Sequence, residues 1–196
     1  HYLGKELVMS LLDSPEALTY IGVFDRFNWL TKHNSRLSIP KDDDIENEII
    51  ETREIIKKLY KYKDNNLSDI QKNTKKIALF DYENKLNEAE NFPYHDYPLN
   101  QIGGVHINTI EFLSDMHPIR NKSEAGDFIK RVNLIKSVYK GITNDLEKQS
   151  NAGIFPPEFV YVRVIEQLDD FINYSYEEHP LYSQFVKKIE MLDLND

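Results

Sequence analysis

Apolar residues recur along most of this chain at the three- and four-residue spacing of an amphipathic helix, and few stretches alternate over strand length. The longest stripe runs Ala125, Phe128, Ile129, Val132, Ile135, Tyr139, Ile142 and Leu146, with Ser123 as its expected N-cap and Gly153 beyond its end. Ile45, Ile49, Thr52, Ile56 and Leu59 make a second stripe, headed by Asp42-Asp43-Asp44 where the positive end of a helix dipole lies. That acidic run is therefore read as a helix start rather than a ligand site. A third helix begins after Ser68 and is expected to bury Ile70, Thr74, Ile77, Phe80 and Leu86. The short polar link Asp64-Asn65-Asn66 makes these two an antiparallel hairpin.

Ser14-Pro15-Glu16 combines an N-cap, a proline at the first helical position and an acidic first turn, and it stops a helix carrying Leu7, Val8, Leu11 and Leu12. Pro156-Pro157-Glu158 opens another with Val160, Val164, Ile165, Leu168, Phe171 and Ile172; Val160 to Ile165 is also readable as a buried strand. Leu181, Tyr182, Phe185, Val186, Ile189 and Leu192 form the last helix, followed by Asp193-Leu194-Asn195-Asp196. Residues 91–108, NFPYHDYPLNQIGGVHIN, break the rhythm with two prolines, a Gly-Gly pair, three aromatics and two histidines, which suits a long ordered loop. The expected fold is all-α: an irregular multi-helix bundle of antiparallel helices with that one loop, in a single helical domain over residues 1–196.

Composition narrows what such a bundle can do. The 196 residues hold 24 Lys+Arg against 33 Asp+Glu, a net charge of −9, so no field favours a phosphate backbone and nucleic-acid partners are not expected. With 40% hydrophobic and 12% aromatic residues the chain has the material for a core. The absence of cysteine excludes disulfides, thiolate metal sites and a cysteine nucleophile. No apolar run approaches the roughly 20 residues of a membrane helix, and His1-Tyr2-Leu3-Gly4 has no basic-then-apolar leader pattern. A chain that does not begin with Met is read as a processed form, an excised piece or an internal one.

Candidate chemistry is sparse. Six histidines (His1, His33, His95, His106, His117, His179) invite a metal reading, but no His-Glu-x-x-His string puts two on one helical face. His95, His106 and His117 lie eleven residues apart, with Pro98 and Gly103-Gly104 interrupting the first interval, so no metal site is expected in this chain. Gly103-Gly104 has no phosphate-binding glycine pattern around it and is read as a positive-φ turn before a helix from Ile107 to Asp115. No Gly-x-Ser-x-Gly elbow is present, and Asp169-Asp170 and Glu177-Glu178 are read as solvated helix faces. At His117-Pro118-Ile119-Arg120-Asn121 the proline ends one helix before the next is capped. Arg120 there either pairs with an acidic neighbour or presents its guanidinium to a carboxylate ligand. Phe92, Tyr94 and Tyr97 either line a groove or staple the loop to the core.

These segments carry a resemblance. Pro98-Leu99-Asn100-Gln101-Ile102-Gly103-Gly104-Val105, a short helix ending at His117-Pro118-Ile119-Arg120-Asn121 and the long helix from Ser123 form one matching block. Gly153-Ile154-Phe155-Pro156-Pro157-Glu158-Phe159-Val160 forms another, and Pro180-Leu181-Tyr182-Ser183-Gln184-Phe185 running into Lys187-Lys188-Ile189 a third. With Ser14-Pro15-Glu16-Ala17-Leu18-Thr19 and Gly22, these stand in the order of a bacterial family, domain-of-unknown-function family eight-eight-five, which the chain resembles over nearly its whole length.

The resemblance implies that complete members are several hundred residues longer and similar to helical zinc metallopeptidases of the gluzincin type. Their His-Glu zinc motif lies in the C-terminal half, and no such motif occurs here. It implies an N-terminal helical portion with no catalytic residue, no metal ligand and no cofactor of its own, and zinc in the missing C-terminal part. Export, often as a lipoprotein, implies a cell-envelope location after signal removal. On this reading the chain forms one wall of a substrate cleft, its partners being the missing C-terminal half and a peptide substrate. Asn100, Gln101, Gly103, Gly104, His117 and Arg120 are the candidates to reach that cleft. This reading predicts an exposed apolar patch, a tendency of the fragment to self-associate, or mobility in the last helix; the alternative, a self-sufficient helical binding module, predicts cooperative folding as a monomer with no large apolar patch exposed.

Overall fold

The computed structural model describes residues 2–25 and 28–192; His1 and the closing Asp193-Leu194-Asn195-Asp196 lie outside the described residues. Eight α-helices run in chain order: α1 Tyr2–Asp13, α2 Pro15–Ile21, α3 Asp44–Tyr60, α4 Asp69–Asn91, α5 Val105–Glu111, α6 Lys122–Asn151, α7 Glu158–Asn173 and α8 Pro180–Glu190. Short 3₁₀ segments at Asn28–Ser35 and Asp64–Asn66 and a π-turn at Phe112–Met116 complete the described elements, with no strand among them. The fold is all-α, and Val160 to Ile165 lie within α7 rather than in a strand.

Local signals account for most boundaries. Ser14 Oγ accepts from Ala17 N, Pro15 takes the first helical position, and Gly22 closes α2 at φ 64°, where a side chain is strained. Ser68 and Gln71 make a reciprocal capping box at the start of α4. Helix α6 begins one residue before the expected cap. Asn121, not Ser123, caps it, accepting from Glu124 N at 3.0 Å, and Ser123 falls inside the first turn. Helix α5 starts at Val105, so the ordered loop is shorter than expected and Asn108 is helical.

By contacts the chain forms two compact units: His1–Ile39, Tyr97–Thr143 and Phe155–Asp196 make the first, Pro40–Asp96 and Asn144–Ile154 the second. Each unit is discontinuous in sequence, so no linker composition marks the division. The core of the first is Leu113, Ile119, Ala125, Phe128 and Leu181, with Phe185 of α8 stacked on Phe128 at 5.0 Å between ring centres. On α6 the inward line is Phe128, Arg131, Ile135, Val138 and Ile142, and the expected stripe residue Ile129 faces solvent.

In the second unit α3 and α4 pack antiparallel, with Arg53 bonded to Glu90 at 2.6 Å, Tyr60 to Glu83 at 2.5 Å and Lys85 to Glu48 at 3.1 Å. Thr52 and Leu59 of the α3 stripe are buried as expected. The α4 stripe is displaced. Ile70, Ile77 and Phe80 are 79%, 70% and 70% exposed, while Lys75, Leu79, Tyr82, Leu86 and Ala89 form the half-buried side. The reason is that α4 carries apolar residues on two sides, and the side that packs on α3 is the one bearing Leu79, Tyr82 and Leu86. Gln149 secures the end of α6 within this unit, donating to the carbonyls of Tyr94 and Asp96 at 2.9 and 2.7 Å.

This register is checked by two substitutions. Leu59→Ala empties a buried position and is expected to cost about 2–5 kcal/mol. Ile77→Gln changes an exposed one and is expected to stay within about 0.5 kcal/mol of the parent in thermal denaturation.

Candidate functional site

The six candidate residues fall in the first unit, in two settings. Asn100 builds the loop turn: its Oδ1 accepts from Ile102 N at 3.1 Å and Gly103 N at 2.9 Å, and its Nδ2 donates to Tyr97 O at 3.2 Å. The Gln101 carbonyl accepts from Gln167 Nε2 on α7, whose Oε1 lies 2.9 Å from His106 Nε2. Asn108 Nδ2 donates to the Gly103 carbonyl at 2.8 Å, and Tyr97 OH donates to Phe155 O at 3.3 Å. Tyr97 thus anchors its end of the loop, while Phe92 is exposed.

The Gly-Gly pair does not make the expected positive-φ turn. Gly104 has φ −65° and ψ 158°, in ordinary extended space. What requires glycine is contact: a Cβ on Gly104 would lie 2.6 Å from Asn100 N, 2.7 Å from Asn100 O and 2.7 Å from His106 Cε1. Nothing lies within 4 Å of a Cβ at the exposed Gly103. One glycine is a close-approach residue, and the other occupies open space.

The second setting is built around a buried guanidinium. Arg131, fully buried on α6, donates from Nε to Arg36 O at 2.8 Å and from Nη1 to His117 Nδ1 at 2.7 Å. Its Nη2 donates to Thr19 Oγ1 at 2.7 Å and to His33 O at 3.0 Å, with Pro15 O at 3.4 Å. Its Cζ stands 4.8 Å from the centre of the Phe112 ring. No carboxylate contacts it among these partners, and burial lowers its pKa to about 10, with more distant Glu16 and Asp127 acting the other way.

His117, also fully buried, closes the π-turn through its backbone N–H to Phe112 O at 2.9 Å. Its Nε2 lies 3.2 Å from Glu124 O, which can only accept, and its Nδ1 faces a guanidinium that can only donate. The proton therefore sits on Nε2 and the ring is neutral. Burial, reinforced by the Arg131 and Lys188 charges, lowers its pKa to about 4. Lys188 Nζ donates to the His117 carbonyl at 2.8 Å, and its own pKa is lowered by burial.

Arg120 is held by this chain's own acids. All three nitrogens donate: Nε and Nη2 to Glu124, Nη2 at 2.7 Å, and Nη1 to Asp25 Oδ2 at 2.7 Å. These bonds raise its pKa above the ordinary arginine value. The structure thus places Arg120 in the ion-paired arrangement, and both His117 ring nitrogens are engaged. Neither residue is arranged for proton transfer. Among the described residues no cluster of three or more His, Asp or Glu is disposed to hold a metal ion. No described helix is long and apolar enough to cross a membrane.

Arg131 and Thr19 are the residues that the helical pattern does not single out. The available signal was a charged residue three positions after Phe128 and four before Ile135, on the apolar line itself.

Two outcomes are expected. Gly104→Ala should cost about 1–3 kcal/mol through overpacking against backbone, and Gly103→Ala should be nearly neutral in the same denaturation assay. Because His117 binds its proton at about pH 4 when folded and near 6.5 when unfolded, stability is fully present above pH 6.5 and falls as pH drops to 4. The loss is of order 3 kcal/mol, and His117→Gln should abolish that part of the pH slope.

A family model described as "Bacterial protein of unknown function (DUF885)" matches residues 15–195. Helix α1 precedes the matched region. Among solved structures, the "putative lipoprotein from Colwellia psychrerythraea" shares the fold with a TM-score of 0.72 at 21% identity. The match covers 93% of this chain and 34% of that one, so the chain spans about a third of its structural relative. No curated protein matches the sequence. With residues 15–195 of its 196 matched by the family model, the chain belongs to the bacterial family DUF885.

Proposed function

We propose that this chain is the N-terminal helical portion of an exported, zinc-peptidase-like protein, and that it contributes one wall of a peptide cleft without being catalytic itself. The observation that carries this reading is the coverage: 93% of the chain finds its counterpart in 34% of a longer relative. The relative's description as a "putative lipoprotein" supports a cell-envelope location. On this reading zinc and the general base would be supplied by the rest of the polypeptide.

Within this chain the loop tip is the part that reaches the peptide. Gln101 and Gly103 sit at a turn held by Asn100 and seated by Gly104, and Ile102 between them is 85% exposed. His117 and Arg120, with their bonds spent inside the chain, position the α5–α6 junction rather than touch substrate. A peptide would be met by the Gln101 side-chain amide and the exposed Ile102 side chain at the loop tip, with the chemistry carried out from the opposite wall.

The test compares the complete protein with this 196-residue chain. Bound zinc near one equivalent and chelator-sensitive peptide hydrolysis are expected of the complete protein, and neither of the chain. Zinc-dependent hydrolysis by the chain alone, or a complete protein with no zinc, would overturn the reading.

A further inference from the structure

We propose that the outer face of α7 is the surface on which the C-terminal remainder of the same polypeptide packs; the inference rests on the reading just given, that this chain is one portion of a longer protein. Helix α7 is apolar on two sides. Val160 and Val164 are buried, and Leu168 and Phe171 are half-buried on the same side. On the remaining circumference Phe159, Val162, Ile165 and Ile172 are 60%, 48%, 56% and 73% exposed, and Phe155 just before the helix is exposed as well.

Apolar side chains left exposed on the outer side of a helix gain free energy when that side is covered. Exposed apolar residues also occur on α3 and α4, as Ile50, Ile70, Ile77 and Phe80 show, but from Phe155 to Ile172 five of them (Phe155, Phe159, Val162, Ile165 and Ile172) fall on one short stretch. That concentration of exposed apolar residues is what marks the α7 face as an interface in this proposal.

Charge selects the occupant. Around the apolar residues stand Glu158, Glu166, Asp169 and Asp170, and the one cation on the helix, Arg163, is paired with Glu166 at 2.9 Å. A second copy docked through the same face would set acid against acid. About two thirds of the structural relative lies outside the region this chain matches, and on the reading just given that leaves ample polypeptide to cover α7. The occupant is therefore a segment following Asp196 that presents an apolar face flanked by lysine or arginine.

A photo-reactive benzophenone side chain in place of Val162, in the complete protein, tests this directly. After irradiation, a link within one polypeptide to a peptide C-terminal to Asp196 is expected, mapped by mass spectrometry. A link between two copies, a link confined to residues 1–196, or no link overturns the proposal. Zinc content and hydrolysis measured on the same sample separate the two readings. An intramolecular link in a protein without zinc keeps the α7 interface and removes the peptidase assignment; zinc and hydrolysis without a link do the reverse.

Discussion

The first unit is organised around a guanidinium that has left water without a carboxylate to receive it. Arg131 is surrounded by three carbonyls, a hydroxyl, an imidazole nitrogen and an aromatic face, drawn from α2, the 3₁₀ segment and the residue after it, the π-turn and its C-terminal flank. Each acceptor contributes only partial charge, so the arrangement holds only if all are in place together. Segments far apart in sequence, Pro15 to Thr19, His33 to Arg36, and His117, are thereby fixed relative to α6. Lysine could not substitute, because a single ammonium lacks the planar fork that reaches acceptors on several sides.

This constraint reaches the α5–α6 junction through His117. A π-turn ends where Pro118 forbids helix continuation, the imidazole drops beside Arg131, and Lys188 grips the His117 carbonyl from α8. Asn121 and Glu124 then start α6, with Glu124 also receiving Arg120. The polar residues that stand out in the sequence at this junction are consumed by architecture. The loop tip at Gln101-Ile102-Gly103 and the outward side of α7, the surfaces proposed to meet a partner, lie outside this network.

Legibility in the sequence tracked how local the deciding physics was. The caps at Ser14 and Ser68, the acidic head of α3 and the Pro156-Pro157 start of α7 concern groups within a turn of one another, and they were readable. The inward side of α4 was not, because a helix with apolar residues on two sides has two admissible registers and only its partner α3 chooses between them. Gly104 was readable as special but for the wrong reason. The φ argument is local, whereas the real constraint is the approach of Asn100 and His106.

By itself the sequence determined an acidic, cysteine-free, all-α chain with its helices in their order, because helical periodicity, capping and composition act through neighbours along the backbone. It also determined the family, through short blocks kept in order over residues 15–195. Tertiary structure alone decided which apolar residues are core, which glycine is crowded, and that an arginine on the apolar line of α6 is a buried hub. Those facts depend on groups brought together from distant parts of the chain, and a one-dimensional pattern holds no distances between them.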